Sequence, residues 1–447
     1  TEEEFCIAGG STDLLEALAT VRSVTPATLV VKRGPLGCQI IDGVVPARLD
    51  DAPIHGGVQV EVLNVLGAGD AFASGFLSGW LRDQALDACA RAANASGALV
   101  VSRHGCAPAM PTPAELDYFL AAAKADPQRM RRPDRDVKLA RLHRVTPVRK
   151  QWDEVLGFAF DHRNQFFELA QQTGASEARI DELKKLFVGA VAQTETALGL
   201  HGRIGVLIDD RYGQDALNAA TGRGWWIGRP VELPGSVPLV FDHGRSIGTT
   251  LASWPREQVV KCLVHYHPDE PVEQRLEQEA QLRALYDAVQ ESGHDLLLEV
   301  IPPKHAHLPN DPDVVPRALK RLYNIGIYPE WWKLAPLDAA QWQAVDALIA
   351  ERDPHCRGVV LLGLSAPVEQ LIEGFTAAAA SARCRGFTVG RTIHHEPSRA
   401  WLAGEIGDEE LIARVRHTFE TLIAAWHAAR NAARSQPPRN VHQEQAA

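Results

Sequence analysis

The sequence is short of the features that would tie it to a membrane, to nucleic acid or to a structural metal. No apolar run approaches the ~20 residues needed to span a bilayer, and the acidic start Thr1-Glu2-Glu3-Glu4-Phe5 is not a signal peptide. Positive charge is not in excess: 46 Lys and Arg against 56 Asp and Glu leave a net charge of -10. That balance argues against broad binding to nucleic acid or anionic lipid, so any phosphorylated ligand must be held by a local cluster of cations. The cysteines, Cys6, Cys38, Cys89, Cys106, Cys262, Cys356 and Cys384, are odd in number, scattered and free of CxxC spacing. They exclude a zinc ribbon and point to a reducing, cytoplasmic setting.

What is present is length and apolar content. With 447 residues, 45% of them hydrophobic, the chain can build more than one core, and length alone allows about three domains of ~150 residues, or two if one is a large barrel. Near the amino terminus, Leu63-Asn64-Val65-Leu66-Gly67-Ala68-Gly69-Asp70-Ala71-Phe72 places small residues and an aspartate where a loop becomes a helix. Gly67 and Gly69 let the chain approach an anion closely, and the amides of the helix start can face it. Asp70 can then take the proton from an acceptor hydroxyl. An ordinary capped helix would also contain these residues, so context matters: an apolar strand run from Thr28 to Val31, a turn from Lys32 to Gly37, and a helix-compatible segment from Ala71 to Leu81.

A helix starting near Thr112-Pro113 closes this first part at residue 122. The charged stretch 123–150 reads as a surface linker, 151–434 as a second domain, and 435–447 as a disordered polar tail. The second domain alternates short strand-like runs with longer helical segments. Eight runs are expected to be strands: Val155–Phe160, Ile204–Ile208, Val237–Phe241, Val259–Tyr266, Leu296–Ile301, Trp331–Leu334, Val359–Leu364 and Gly386–Val389. Eight strands over this length suit an α/β fold of the (β/α)₈ barrel type. An open doubly wound sheet is the alternative, but no GxGxxG follows the first run.

In a barrel, the carboxyl ends of these runs converge on one mouth. Asp161-His162-Arg163 follows the first run, Asp209-Asp210-Arg211 the second, and Asp242-His243 the third. Lys261, Glu299, Lys333, Ser365, Gly390 and Arg391 lie in or after the later ones. If Lys333 points inward from Glu-Trp-Trp-Lys-Leu-Ala-Pro, its ammonium is desolvated, the condition under which a lysine amine forms a Schiff base. A lysine snorkelling beside two surface tryptophans is the competing reading. Glu299 and Lys261, each in an apolar run, would add a proton shuttle and a charge clamp. Trp225-Trp226 and Trp331-Trp332 read as packing rather than sugar platforms.

The first part resembles the carbohydrate kinases of the ribokinase (PfkB) family. The resemblance rests on the GAGD loop, on VVKRGPLGC from Val30, on Ala92 to Ala95, and on the run from Val100 to Pro111. Within that family, LNVLGAGDAF and SRHGCAPAMP most resemble the 5-dehydro-2-deoxygluconokinases of inositol breakdown. The resemblance implies ATP and Mg²⁺ as cofactors, Asp70 as the base, and Gly67, Ala68 and Gly69 as the anion hole. Lys32, Gly34, Gly37 and Asn94 would lie at the nucleotide. It further implies that the sequence begins inside the last part of such a kinase, with the family's sugar pocket and lid belonging to the missing portion.

The second part resembles, more distantly, the class I tagatose-bisphosphate aldolases. GFAFDHR is similar to their AIDQRG segment, LIDDRYG to LLDPEYG, VKCLVHYHPD to KxLxYYxxD and WWKLAP to LKVEVP. It also resembles an uncharacterised carboxyl-terminal region fused to inositol-pathway kinases in some bacteria. By that resemblance Lys333 forms the imine, Glu299 is the acid/base, Lys261 contacts substrate and Asp161 supports it, while Ser365, Gly390 and Arg391 hold phosphate. Ala335 and Pro367 depart from the family pattern. No cofactor and no metal is expected in the barrel, and the ligand is a small phosphosugar; a homo-oligomer is left open. Together the two resemblances imply cleavage of 6-phospho-5-dehydro-2-deoxygluconate to dihydroxyacetone phosphate and malonate semialdehyde. Three rivals stay open: a metal-dependent aldolase or isomerase using His265, His267, His305, His307, His394 and His395; a non-catalytic barrel that binds a phosphosugar and regulates or assembles the kinase; and a chain in which only the kinase resemblance carries meaning.

Overall fold

The computed structural model describes residues 1–305, 307–309 and 311–435. It divides into two compact units, Thr1–Arg149 and Lys150–Ala447. The tail expected to be disordered lies, beyond Ser435, outside the described residues. No helix among the described residues is long and apolar enough to cross a membrane.

In the first unit, helices α1 (Glu2–Gly9) and α2 (Leu14–Val24) precede an antiparallel sheet of β1 (Leu29–Lys32), β2 (Cys38–Ile41) and β3 (Ile54–His55). Helices α3 (Ala68–Trp80), α4 (Leu86–Val101), α5 (Pro113–Ala125) and α6 (Val137–Val145) follow. Alternation along β1 buries Leu29 and Val31 against Leu18 of α2 and Ile41 of β2. The stretch 123–150 does not behave as an extended linker up to Arg149. Met130 and Leu139 are buried with Phe119, and Asp136 caps α6 while accepting from Tyr118 and Arg129. Its charges serve as caps and ion pairs, so charge density alone is a poor sign of an unstructured connection.

The second unit is a closed (β/α)₈ barrel. Its parallel strands are β4 (Val155–Ala159), β5 (Ile204–Leu207), β6 (Trp226–Pro230), β7 (Val259–His265), β8 (Asp295–Ile301), β9 (Trp331–Leu334), β10 (Gly358–Leu362) and β11 (Cys384–Val389). They close in the order β10-β11-β4-β5-β6-β7-β8-β9, which leaves no room for an open sheet. Helices α7 (Asn164–Thr173), α8 (Ala178–Leu198), α9 (Gln214–Ala220), α10 (Ile247–Leu251), α11 (Val272–Ser292), α12 (Val314–Asn324), α13 (Ala339–Arg352), α14 (Val368–Ala378), α15 (Arg391–Leu402) and α16 (Asp408–Ser435) connect and surround them.

One expected strand is corrected. The third barrel strand is Trp226–Pro230, and Val237–Phe241 is not a strand. Phe241 instead makes an isolated antiparallel bridge to Glu232, and Leu239 donates its N–H to Gln278 at 2.6 Å. Gly228, Arg229 and Pro230 break the apolar run that would mark β6, while Val237–Phe241 carries an apolar composition without a ladder.

Two-residue alternation sorts the strands. Val155, Ala159, Leu207, Trp226, Val259, Leu297, Trp331 and Val360 fill the barrel interior, with the Trp226 and Trp331 rings edge to face at 5.6 Å. Trp332, Leu334, Val260, Cys262 and Leu298 face the surrounding helices. Lys333 stands two residues beyond Trp331 and Lys261 two beyond Val259, so both share the inward face. The interior is thus apolar at the amino-terminal end of the strands and charged at the carboxyl-terminal end.

Candidate active site

Burying charges is costly unless they are paired, and the mouth of the barrel satisfies this with an interlocking set. Asp161, Lys261, Glu299, Lys333, Ser365, Gly390 and Arg391 all line one cavity of about 340 Å³, together with His162, Arg163, Glu232, His265 and Thr388. Lys333 and Glu299 are register partners on β9 and β8, and Nζ donates to Oε2 at 3.2 Å. The same carboxylate oxygen lies 3.2 Å from Lys261 Nζ. Lys261 also reaches Asp161 at 3.2 Å and Glu232 at 2.8 Å.

These pairings set the protonation states. Burial opposes the Lys261 charge, but the carboxylates of Asp161, Glu232 and Glu299 outweigh it and push the ammonium well above the ordinary lysine value. Burial would raise the Glu299 carboxyl, and the ammoniums of Lys333 and Lys261 hold it below the usual range instead. Asp161 is likewise held far down, burial being overcome chiefly by Lys261. Burial pushes His162 down to about 4, with Lys333 and Lys261 adding to the effect and Asp161 opposing it. Its Nδ1 is buried without a hydrogen-bond partner. Behind it His394, stacked on Phe166 at 4.7 Å, is pushed well below the ordinary histidine value by burial.

The opposite side of the cavity joins a strained turn to a helix start. Leu364 and Ser365 adopt left-handed backbone (φ 45° and 61°), an uncommon state for residues with a side chain. Thr392 in the first turn of α15 donates to the Ala366 carbonyl at 2.8 Å, tying this turn to the helix start. Gly390 precedes that helix, and a Cβ there would stand 2.4 Å from the Ala159 carbonyl oxygen and 2.8 Å from His162 Cε1. Only glycine therefore lets α15 present its free amides and the Arg391 side chain to the cavity.

Sequence reasoning misses Glu232 altogether, because its strand is misplaced. Once β6 is recognised, Glu232 continues the inward series Trp226, Gly228, Pro230. Arg163, read only as a neighbour of Asp161, donates to Asp242 at 2.9 Å and to the Glu232 carbonyl at 2.8 Å. Asp209 takes no part in the cavity: it accepts from the fully buried Lys184 and from Tyr212 N–H at 2.9 Å. Of the histidines considered as metal ligands, His265 lines the cavity, His267 accepts from Asp269 N–H, and His305 stacks on His307 at 5.4 Å. His394 is buried and His395 exposed. Among the described residues no three His, Cys, Asp or Glu side chains form a group that could hold a metal ion.

In the first unit, Gly67 (φ 81°) precedes α3, and Asp70 is exposed in its first turn. Lys32 Nζ lies 3.3 Å from where a Cβ on Gly69 would stand and 3.7 Å from Glu4 Oε2, so a cation meets the helix start. Asn94 Nδ2 donates to the carbonyls of His55 at 2.7 Å and Gly56 at 3.3 Å. Gly37 lies against the same segment, while Gly34 is open.

Comparison with known proteins matches residues 115–430 to the family described as "Uncharacterized protein conserved in bacteria (DUF2090)". The chain belongs to this family. Ahead of the DUF2090 region, residues 1–113 match the pfkB family carbohydrate kinases. Over 84 residues the chain is 36% identical to the 5-dehydro-2-deoxygluconokinases of Bacillus thuringiensis, Bacillus cereus and Bacillus anthracis. That alignment takes in 19% of this chain and 25% of each relative, so the chain spans about a quarter of the length of the curated relatives it matches. A crystal structure of Cgl0159 from Corynebacterium glutamicum aligns at 17% identity with a TM-score of 0.42, covering 71% of this chain and 98% of that one.

Proposed function

We propose that the DUF2090 barrel is a Schiff-base lyase acting on a phosphorylated keto compound. The observation that carries this reading is the Lys333–Glu299 pair, 3.2 Å apart inside a cavity whose other side ends in Ser365 and the α15 start. Lys333 would pass a proton to Glu299 and attack a ketone as the neutral amine; Glu299 would return that proton to the departing water as the imine forms, with the phosphoryl group held by Ser365, Arg391 and the amides after Gly390. The protonated imine then accepts the electron pair from the neighbouring carbon–carbon bond. Glu299, a carboxylate again, then takes the proton from the β-hydroxyl as that bond breaks. Protonation of the resulting enamine and hydrolysis return the amine.

The kinase relatives of the first unit point to 6-phospho-5-dehydro-2-deoxygluconate as substrate. Imine formation at C5 and cleavage of C3–C4 would yield malonate semialdehyde and dihydroxyacetone phosphate. The barrel itself would need no cofactor and no metal. For the first unit, ATP would supply the phosphoryl group and Mg²⁺ would offset its charge. Lys32, Gly34 and the helix start from Gly67 to Gly69 would hold the nucleotide's phosphates, with Asp70 as base.

Borohydride reduction in the presence of dihydroxyacetone phosphate, followed by peptide mass mapping, tests the barrel reading. The expected result is a stable adduct on Lys333 that is absent in a folded Lys333→Ala variant, with cleavage activity lost in parallel. Cleavage that survives Lys333→Ala would overturn it.

A further inference from the structure

A lysine ammonium has three N–H donors. At Lys261 three carboxylates from three strands surround them: Asp161 at the end of β4 at 3.2 Å, Glu232 just past β6 at 2.8 Å, and Glu299 within β8 at 3.2 Å. The side chain is 5% exposed. Lys261 donates to Glu232, and the other two carboxylates pair with its charge, so the ammonium is compensated within the protein.

The three acceptors are not equivalent. Glu299 is shared with Lys333, and Asp161 lines the cavity beside His162. Glu232 is anchored to the strand that carries Lys261: its second carboxylate oxygen accepts the Leu263 N–H at 3.1 Å. Its own carbonyl accepts from Arg163 at 2.8 Å, and the same guanidinium is held by Asp242 at 2.9 Å. Both the backbone and the carboxylate of Glu232 are thus held in place, and the shorter of the two carboxylate contacts is the one to Lys261.

We propose that Glu232 is a positioning residue that holds Lys261 as an internal counter-ion, and through Lys261 sets where the Glu299 carboxylate stands against Lys333. The proposal rests on the reading of Lys333 and Glu299 as the reacting pair. Glu232 would fix geometry without touching the substrate. Its removal leaves Lys261 free to shift toward Asp161, drawing Glu299 off the Lys333 amine or releasing it.

A double-mutant cycle in the 447-residue chain tests this: wild type, Glu232→Gln, Lys261→Met and the double variant, assayed for cleavage of 6-phospho-5-dehydro-2-deoxygluconate. Glutamine keeps the size of Glu232 and can still accept from Leu263. Misplacement of a reacting group lowers kcat by ~10–100-fold, which is the effect expected of Glu232→Gln. KM should stay within about threefold, since the anion side of the cavity is untouched. In the Lys261→Met background the same substitution should cost less than about threefold, because its route of action is already gone. Effects that multiply, or a raised KM with kcat intact, would overturn the proposal; the KM-against-kcat comparison needs only Glu232→Gln if Lys261→Met does not fold. A wild type that neither cleaves the substrate nor gives a Lys333 adduct would sink the lyase reading instead. Thermal unfolding of the same variants then decides the pairing alone: coupled shifts at 232 and 261 support it, additive shifts refute it.

Discussion

Glu299 and Lys333 face each other across adjacent parallel strands, with one carboxylate oxygen of Glu299 also 3.2 Å from Lys261. One oxygen between two ammoniums stays ionised and keeps a fixed place. It is a proton acceptor before it can be a donor.

Glu299→Gln removes that charge while keeping volume and an acceptor oxygen. The fold should survive, with turnover reduced by ~100-fold or more, the usual scale for losing a general acid/base. Stopped assays of cleavage beside circular dichroism check both halves, and undiminished turnover would exclude Glu299 from proton transfer.

Gly390→Ala forces a Cβ against the Ala159 carbonyl and the His162 ring. Overpacking of this kind costs about 1–3 kcal/mol, and here it also displaces the α15 start. The melting temperature should fall, and affinity for dihydroxyacetone phosphate should fall more than affinity for dihydroxyacetone. Titration calorimetry with the two ligands makes the comparison.

Lys184→Met strands Asp209 in the protein interior, since both side chains are fully buried. Breaking a buried pair on one side costs about 3–5 kcal/mol. Urea unfolding should show that loss, and the double variant with Asp209→Asn should recover part of it. Equal stability of wild type and Lys184→Met would refute the pairing.

Acid should weaken the barrel in two stages. His162 and His394 are held neutral by burial, His162 titrating near 4, so the unfolded chain binds the extra protons between about pH 6.5 and 4. Stability is therefore lost as pH falls through that window. Asp161 and Glu299, whose carboxyls are depressed, contribute stability that is full above their unfolded values near 4 and is lost below them. Melting temperatures measured from pH 8 to 3.5 should stay level at the alkaline end, then decline. His162→Gln should shallow the decline between 6.5 and 4; an unchanged slope would count against an imidazole held neutral at the cavity wall.

Much of this arrangement is legible in the chain. The apolar runs at Val155, Ile204, Val259, Leu296, Trp331, Val359 and Gly386 are strands because buried parallel strands are apolar on both faces. The polar residues that close those runs must then meet, since a barrel collects its carboxyl ends at one rim. β6 escapes this logic, because glycine, arginine and proline within it are tolerated by tertiary packing that no local pattern records. Glu232 disappears with it.

Residue order is enough to show that two dissimilar parts share the chain, that the second alternates strand and helix, and that two lysines and several carboxylates lie at strand ends. Those facts follow from periodicity and residue type, which are local. Tertiary structure alone decided that Lys333 points inward with Glu299 rather than outward beside its tryptophans. It also decided that Lys261 is enclosed by three carboxylates and that Asp209 serves Lys184 instead of the cavity. Each depends on which side chains closure of the barrel brings within about 3 Å, the range in which a charge finds its partner, and that distance is not a property of any one segment.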